Sequence, residues 1–192
     1  MISSSFRLAV LGIATLCSAA AFARVEVEAV QHKSGPMLVA KVSEDIAPGD
    51  YDALMKGVLG HPGKFARKIV ILDSIGGSVP EAIRMGRLLR ETGFDALVPS
   101  TGLCQGTCVY LLAAGRGKMV RGSVGLHRPY YAHGDSSRDQ ALYKGVRYNS
   151  AAYFKEMNIP PSLLEDMQRI DPRQMRVLSA SDLARYRLAA GK

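Results

Sequence analysis

The sequence predicts a single α/β domain, and three observations lead to that class. Short apolar runs of strand length alternate with longer stretches that repeat apolar residues at helical spacing. Two glycine-containing turns, 72–79 and 102–108, each lie between a strand pattern and a helix pattern. No internal repeat, low-complexity tract or linker divides the chain, so the alternating elements belong to one layered unit with crossover connections.

The first 23 residues are expected to lie outside that unit. Arg7 precedes the apolar run Leu8 to Leu16, and Ala-Phe-Ala occupies Ala21 to Ala23. A basic start, a short apolar stretch and a small-x-small site together read as a secretory signal, which predicts an exported, periplasmic or secreted domain over residues 24–192. Cys17 follows Leu16, which is bulky where a lipoprotein signal has a small residue, so lipidation is not expected. No later apolar run is long enough to span a membrane.

Of three cysteines, Cys104 and Cys108 remain after such processing, and in an exported protein an isolated pair is most simply a disulfide. Their C-x-x-x-C spacing differs from a thioredoxin motif, and no neighbouring histidine completes a zinc set, so neither a metal nor another cofactor is implied. The formal net charge is +8, from 25 Lys+Arg against 17 Asp+Glu. The basic residues are scattered, aromatics are few and Trp is absent, so a nucleic-acid partner is not expected. The charge supports only a loose attraction to anionic surfaces or acidic peptides.

In chain order, Val25 to Val30 alternates apolar and polar residues and predicts a half-buried strand. Gly35-Pro36 turns the chain into a second strand over Met37 to Val42. Asp50 is placed to cap a helix that runs to about Leu59 and is stopped by Gly60 and Pro62. Lys68 to Leu72 is a buried strand leading into the first glycine turn. Val79, Ala82, Ile83, Gly86 and Leu89 share one helical face, and Gly93 ends that helix. Ala96 to Val98 is a strand, and Pro99 and Gly102 lead to the second turn.

The next helix, from near Gln105 to Ala114, is apolar almost all round and should be buried. Lys118 to Arg121 and Ser123 to Leu126 are short strands that deliver His127. A polar loop over Ala132 to Ser137 precedes a helix from about Arg138 to Met157, which Pro160-Pro161 breaks. A helix carrying Leu163, Leu164 and Met167 follows, then Asp171-Pro172, Val177-Leu178 and a last helix from Ser179.

The chemistry concentrates at the two turns, Leu72-Asp73-Ser74-Ile75-Gly76-Gly77-Ser78-Val79 and Gly102-Leu103-Cys104-Gln105-Gly106-Thr107-Cys108, with His127 after them. Turns of this kind present backbone N–H groups that can hold developing negative charge. At these residues the chain resembles the Clp-type serine peptidases of the Clp/crotonase superfamily, over about Met37 to Leu188. Ser74-Ile75-Gly76-Gly77 resembles that family's Ser-Pro-Gly-Gly turn, with Ile75 where proline is usual. Gly102 to Gly115, with Leu111-Leu112-Ala113-Ala114-Gly115, resembles the segment holding the nucleophilic serine. Val124-Gly125-Leu126-His127-Arg128-Pro129 resembles the strand carrying the catalytic histidine.

The resemblance implies a Clp/crotonase-like fold of repeated strand–strand–helix units and a groove for extended peptides. It also implies an oxyanion hole from the amides of Gly77 and Thr107 beside Gly76, His127 as base, Asp171 as its orienter, and assembly as trimers or hexamers. The serine position, however, holds Gly106, and without an attacking oxygen the usual acyl-enzyme cannot form. Thr107 is rotated by about 100° from that position on a helix. Cys108, if paired with Cys104, offers no thiolate.

The expectation is therefore an exported degenerate peptidase that binds peptides or partner proteins. The alternative is an active peptidase or acyl hydrolase using Thr107, Cys108 or water activated by His127. The crotonase branch, acting on acyl-CoA, is disfavoured by export and by the absence of paired glutamates in the turns. Asp171 precedes a proline, which suits a turn as well as an orienting role, and Gly76 and Gly77 also suit purely conformational roles. Tyr130 and Tyr131 suit a groove wall, an interface or a loop equally, while His32, His61 and His133 have no partners at ligand spacing.

Overall fold

The long strand that begins at Arg67 organises the molecule, because it has neighbours on both edges and leads directly into the first glycine turn. The computed structural model describes residues 24–128, 148–171 and 173–189. Strand β1 (Arg24–His32) pairs antiparallel with β2 (Gly35–Ile46), and β2 runs parallel to β3 (Arg67–Gly77). Farther across, β5 (Leu103–Gln105) and β7 (Ser123–Leu126) continue in parallel, and the two-residue β8 (Arg176–Val177) closes the row antiparallel to β7.

Strand β3 is longer than its apolar run and forks the sheet. Its Ile69 to Ile71 pair with β4 (Asp95–Val98), whereas Ser74 pairs with Cys104 of β5. Strand β6 (Lys118–Val120) continues from β4. Among the described residues this makes one mixed sheet of eight strands in an α/β arrangement.

Helix α1 (Asp50–Leu59) connects β2 to β3, α2 (Val79–Thr92) connects β3 to β4, and α3 (Cys108–Ala114) connects β5 to β6. All seven residues of α3 are buried, as its unbroken apolar composition requires. Full burial of a side chain such as Leu111 or Leu112 contributes roughly 1.5–3 kcal/mol, so α3 anchors the turn that precedes it. Ser78 caps α2 by accepting from the Glu81 amide at 3.4 Å, and Gly93 ends it at a φ of 84°.

Two boundaries differ from the sequence pattern. Residues 103–105, expected within the second turn with a helix from near Gln105, form a strand and α3 begins only at Cys108, because Cys104 is drawn into a ladder between Ser74 and Val124. Asp50 is the first residue of α1 and not its cap. Gly49 takes the N-cap position at a φ of 103°, and the Asp50 carboxylate accepts from the Ala47 amide at 2.7 Å. The buried Asp50 carboxyl has its pKa raised, chiefly by desolvation.

Toward the C-terminus come α4 (Ser150–Glu156), α5 (Ser162–Arg169) and α6 (Ala180–Arg185). Residues 129–147, which include Tyr130, Tyr131, His133, the expected loop and most of the expected helix from Arg138, lie outside the described residues, as do the expected signal and Cys17. Helix α4 packs where α2 meets α3. The Tyr153 hydroxyl donates to the Tyr110 carbonyl at 2.7 Å, in space left by Gly86, where a side chain would collide with Tyr153. Arg90 donates to the carbonyls of Ala113 and Met157 at 3.1 and 3.2 Å.

Helices α5 and α6 are tied together at Asp166, which accepts from the hydroxyl of buried Tyr186 at 2.5 Å and pairs with Arg169 and Arg185. That hydroxyl, first, and the arginines hold the Asp166 carboxyl below its ordinary pKa. The stability it contributes is present above the unfolded Asp value near ~4 and is lost as pH falls through the depressed folded value. Tyr186→Phe should therefore cost about 1.5 kcal/mol at pH 7, the usual worth of a hydrogen bond to a charged group. In urea titrations the difference should shrink as pH falls toward ~2.

Candidate functional site

Four parallel strands end on the same side of the sheet, and their C-terminal ends carry the residues of interest in a row. Asp45 and Ile46 end β2, Gly76 and Gly77 end β3, Gly106 and Thr107 follow β5, and His127 follows β7. Crevices outside the carboxyl ends of parallel strands are where α/β proteins hold ligands.

The first turn is built on a β-bulge. Glu44 pairs with Ser74 and Asp45 with Gly76, so Ile75 is left over and stands 59% exposed. Buried Ser74 pins the bulge from both sides, donating to the Glu44 carbonyl at 2.6 Å and accepting from the Gly76 amide at 3.2 Å. Gly76 and Gly77 have φ of 95° and 145°, a region that side chains rarely adopt. A Cβ on Gly76 would lie 2.7 Å from both the Gln105 carbonyl oxygen and the Thr107 nitrogen. The two glycine turns therefore touch, backbone against backbone.

The second turn is clamped by the Cys104–Cys108 disulfide, whose sulfur-bearing residues are fully buried and whose Cα atoms lie 5.2 Å apart. The bridge spans only Gln105, Gly106 and Thr107. Cys108 thus has no thiolate to act as a nucleophile. Gly106 sits at a φ of 55°, in the left-handed region, at the strand-to-helix corner. Its amide donates to the Gly125 carbonyl at 3.0 Å, tying the corner to β7. In contrast with Gly76, a Cβ at Gly106 would meet, among the described residues, only the Ile75 carbonyl oxygen at 3.4 Å and the His127 Cβ at 3.9 Å, both ordinary contacts. Among the described residues a side chain has room there, facing His127, but the sequence supplies none.

The Thr107 hydroxyl faces Gly76, 3.1 Å from where a Cβ would stand on that residue. It is shut away from solvent and has no hydrogen-bond partner among the described residues. It is therefore not presented to a substrate carbonyl. An unmet hydroxyl of this kind costs about 1–3 kcal/mol.

His127 is half-buried, and its Nδ1 donates to the Arg128 carbonyl at 2.7 Å. A carbonyl can only accept, so the proton is assigned to Nδ1 and Nε2 is the basic nitrogen in the neutral ring. Asp171 is not the group that orients this ring. Its exposed carboxylate accepts from the Arg173 amide at 2.8 Å, its carbonyl accepts from Gln174, and among the described residues no hydrogen bond joins it to His127. It fills the turn role that a residue before proline favours. The segment after it does reach the site, since Arg176 pairs with Leu126 and Met175 packs on Gly125.

Sequence reasoning missed two contributors. Ser74, which pins the bulge, carried no signal beyond its place before the glycines. Asp45 was hidden because only the bulge brings it over the turn, where its carboxylate lies against the Cα of Gly77. Asp45 is exposed as a residue, yet desolvation of its carboxyl raises its pKa. One strand spacing, ~4.8 Å, separates neighbouring strand ends. At an effective dielectric near ~20, an anion that close to Asp45 is opposed by roughly 3 kcal/mol. Among the described residues no group of three His, Cys, Asp or Glu side chains stands ready to hold a metal, and no helix is long and apolar enough to cross a membrane.

No protein-family model matches the chain, and a search of curated proteins found no matching relative.

The contrasting glycines make a direct test. Gly106→Ala should cost about 1 kcal/mol, the ordinary penalty of a side chain in the left-handed region, whereas Gly76→Ala should cost about 3 kcal/mol or more because backbone must move. Urea midpoints of the two variants would read the difference. Thr107→Val, which removes an unmet hydroxyl at constant shape, should leave the melting temperature unchanged or raise it.

Proposed function

We propose that residues 24–192 form an exported domain of Clp/crotonase-like fold that binds extended peptides or partner proteins and has lost serine chemistry. The observation that carries this reading is Gly106. It occupies a left-handed strand-to-helix corner with room for a side chain beside His127, which is the setting a nucleophilic serine needs, yet it has no attacking oxygen. The surrounding arrangement supports the same reading. Two glycine turns in contact, a parallel strand delivering a histidine with a basic Nε2, and a buried helix behind the second turn follow the order that the resemblance calls for.

The substitutes for the missing serine are poor ones. The hydroxyl of Thr107 is sealed against Gly76, and Cys108 is bonded to Cys104. Asp45 opposes the negative charge that builds up in acyl transfer. Export to the periplasm or beyond belongs to the reading through the signal-like residues 1–23, and a buried disulfide suits an oxidising compartment. Assembly as trimers or hexamers belongs to it too, and light scattering on the purified domain measures it.

The test uses the protein without residues 1–23. Fluorescein-labelled extended peptides should bind, read by anisotropy, with no turnover by mass spectrometry over a day. Gly106→Phe, which fills the space between Ile75 and His127, should weaken binding at least ten-fold. Peptide cleavage abolished by His127→Ala would replace this reading with an active hydrolase, and no binding to any peptide would remove it.

A further inference from the structure

We propose that Asp45 is a specificity-determining residue of the strand-end crevice and selects peptides that place one basic side chain, Lys or Arg, beside the first glycine turn. The inference rests on the peptide-binding reading above and names the class of peptide that this site takes.

The backbone is distorted to put Asp45 where it is. Glu44, a non-glycine residue, holds a φ of 64° at the bulge, and such strain persists only where surrounding contacts enforce it. Here the enforcing contact is Ser74, which holds the Glu44 carbonyl. As a result the next residue lies over Gly77, with its carboxylate exposed beside the C-terminal end of β3.

Two buried carboxylates near the turn are committed, whereas exposed Asp45 is not. Asp50 accepts from the Ala47 amide, and Glu81 accepts from the Tyr51 amide and pairs with Arg84 at 3.0 Å. Asp45 has neither a hydrogen bond nor an ion pair among the described residues, although the chain carries 25 Lys and Arg. On the other flank of the same turn, the Thr107 hydroxyl is buried, unpartnered among the described residues and directed at Gly76. That hydroxyl is sealed from solvent, so the exposed polar group bordering the turn on the β2 side is the Asp45 carboxylate.

The sign of that charge decides the ligand. A carboxylate beside the turn repels an acidic side chain or a terminal carboxylate seated there and attracts an ammonium or guanidinium group. The chain's own net charge of +8 opposes a polycation at long range, so the ligand is a peptide with a single basic residue in a neutral background and not a basic run.

The experiment measures anisotropy of labelled, N-acetylated and C-amidated peptides that differ only in carrying Arg, Gln or Glu at one central position. Acetylation removes the α-amino group as a competing cation. The wild-type domain should bind the Arg peptide at least ten-fold more tightly than the Gln peptide, and the Glu peptide most weakly. Asp45→Asn should bring the Arg-to-Gln ratio near one, while Asp52→Asn, a change at an exposed carboxylate on α1, should keep it. Equal binding of Arg and Gln peptides by the wild type, or a ratio that survives Asp45→Asn, overturns the inference and leaves the peptide-binding reading standing. Failure of all three peptides to bind overturns that reading itself.

Discussion

The candidate site depends on one close approach of backbone to backbone. The ends of β3 and β5 come together at Gly76, which faces the Gln105 carbonyl and the Thr107 amide at distances that leave no room for a methyl group. This contact aligns the first glycine turn with the corner at Gly106 and thereby faces that corner toward His127. It also explains the unmet Thr107 hydroxyl, since the surface opposing it is the Cα of a glycine and offers no polar group. The bulge pinned by Ser74 and the disulfide across the second turn hold the two partners of this contact in place from opposite sides. Each restraint fixes a backbone path at the strand ends.

Geometry and charge meet at these strand ends. Their two glycine turns meet backbone to backbone, and the histidine lies beside the corner glycine. The corner residue has no nucleophile, and the carboxylate of Asp45 is turned over the first glycine pair. A carboxylate in that position disfavours negative charge and favours positive charge beside it. The burial of both cysteines makes the disulfide a structural clamp across the left-handed corner at Gly106.

Much of the fold was legible in the sequence because the signals were local. The face formed by Val79, Ala82, Ile83, Gly86 and Leu89 predicted α2, and Gly93 ends it in the left-handed conformation that its lack of a side chain permits. The unbroken apolar run of 109–114 predicted a buried helix, and α3 is buried throughout. Less legible were elements with no pattern of their own. Three residues, 103–105, read as turn with a helix starting near Gln105 but form β5, since the pairing partners Ser74 and Val124 are about 30 and 20 residues distant in the chain. Strand β8 is two residues long and exists only through its pairing with β7. Asp171 lies in a local turn, an outcome that its following proline allowed but could not decide.

The sequence by itself determined the alternation of strands and helices, the pairing of two cysteines around a three-residue turn, and the glycine at the corner before α3. These depend on composition and spacing, which are fixed along the chain. Only the tertiary structure decided that Gly76 abuts Thr107, that His127 faces Gly106, and that Asp45 overlies Gly77. Those contacts join strand ends that are neighbours in the sheet but distant in the chain, and their register is set by a bulge whose extra residue no local pattern announces.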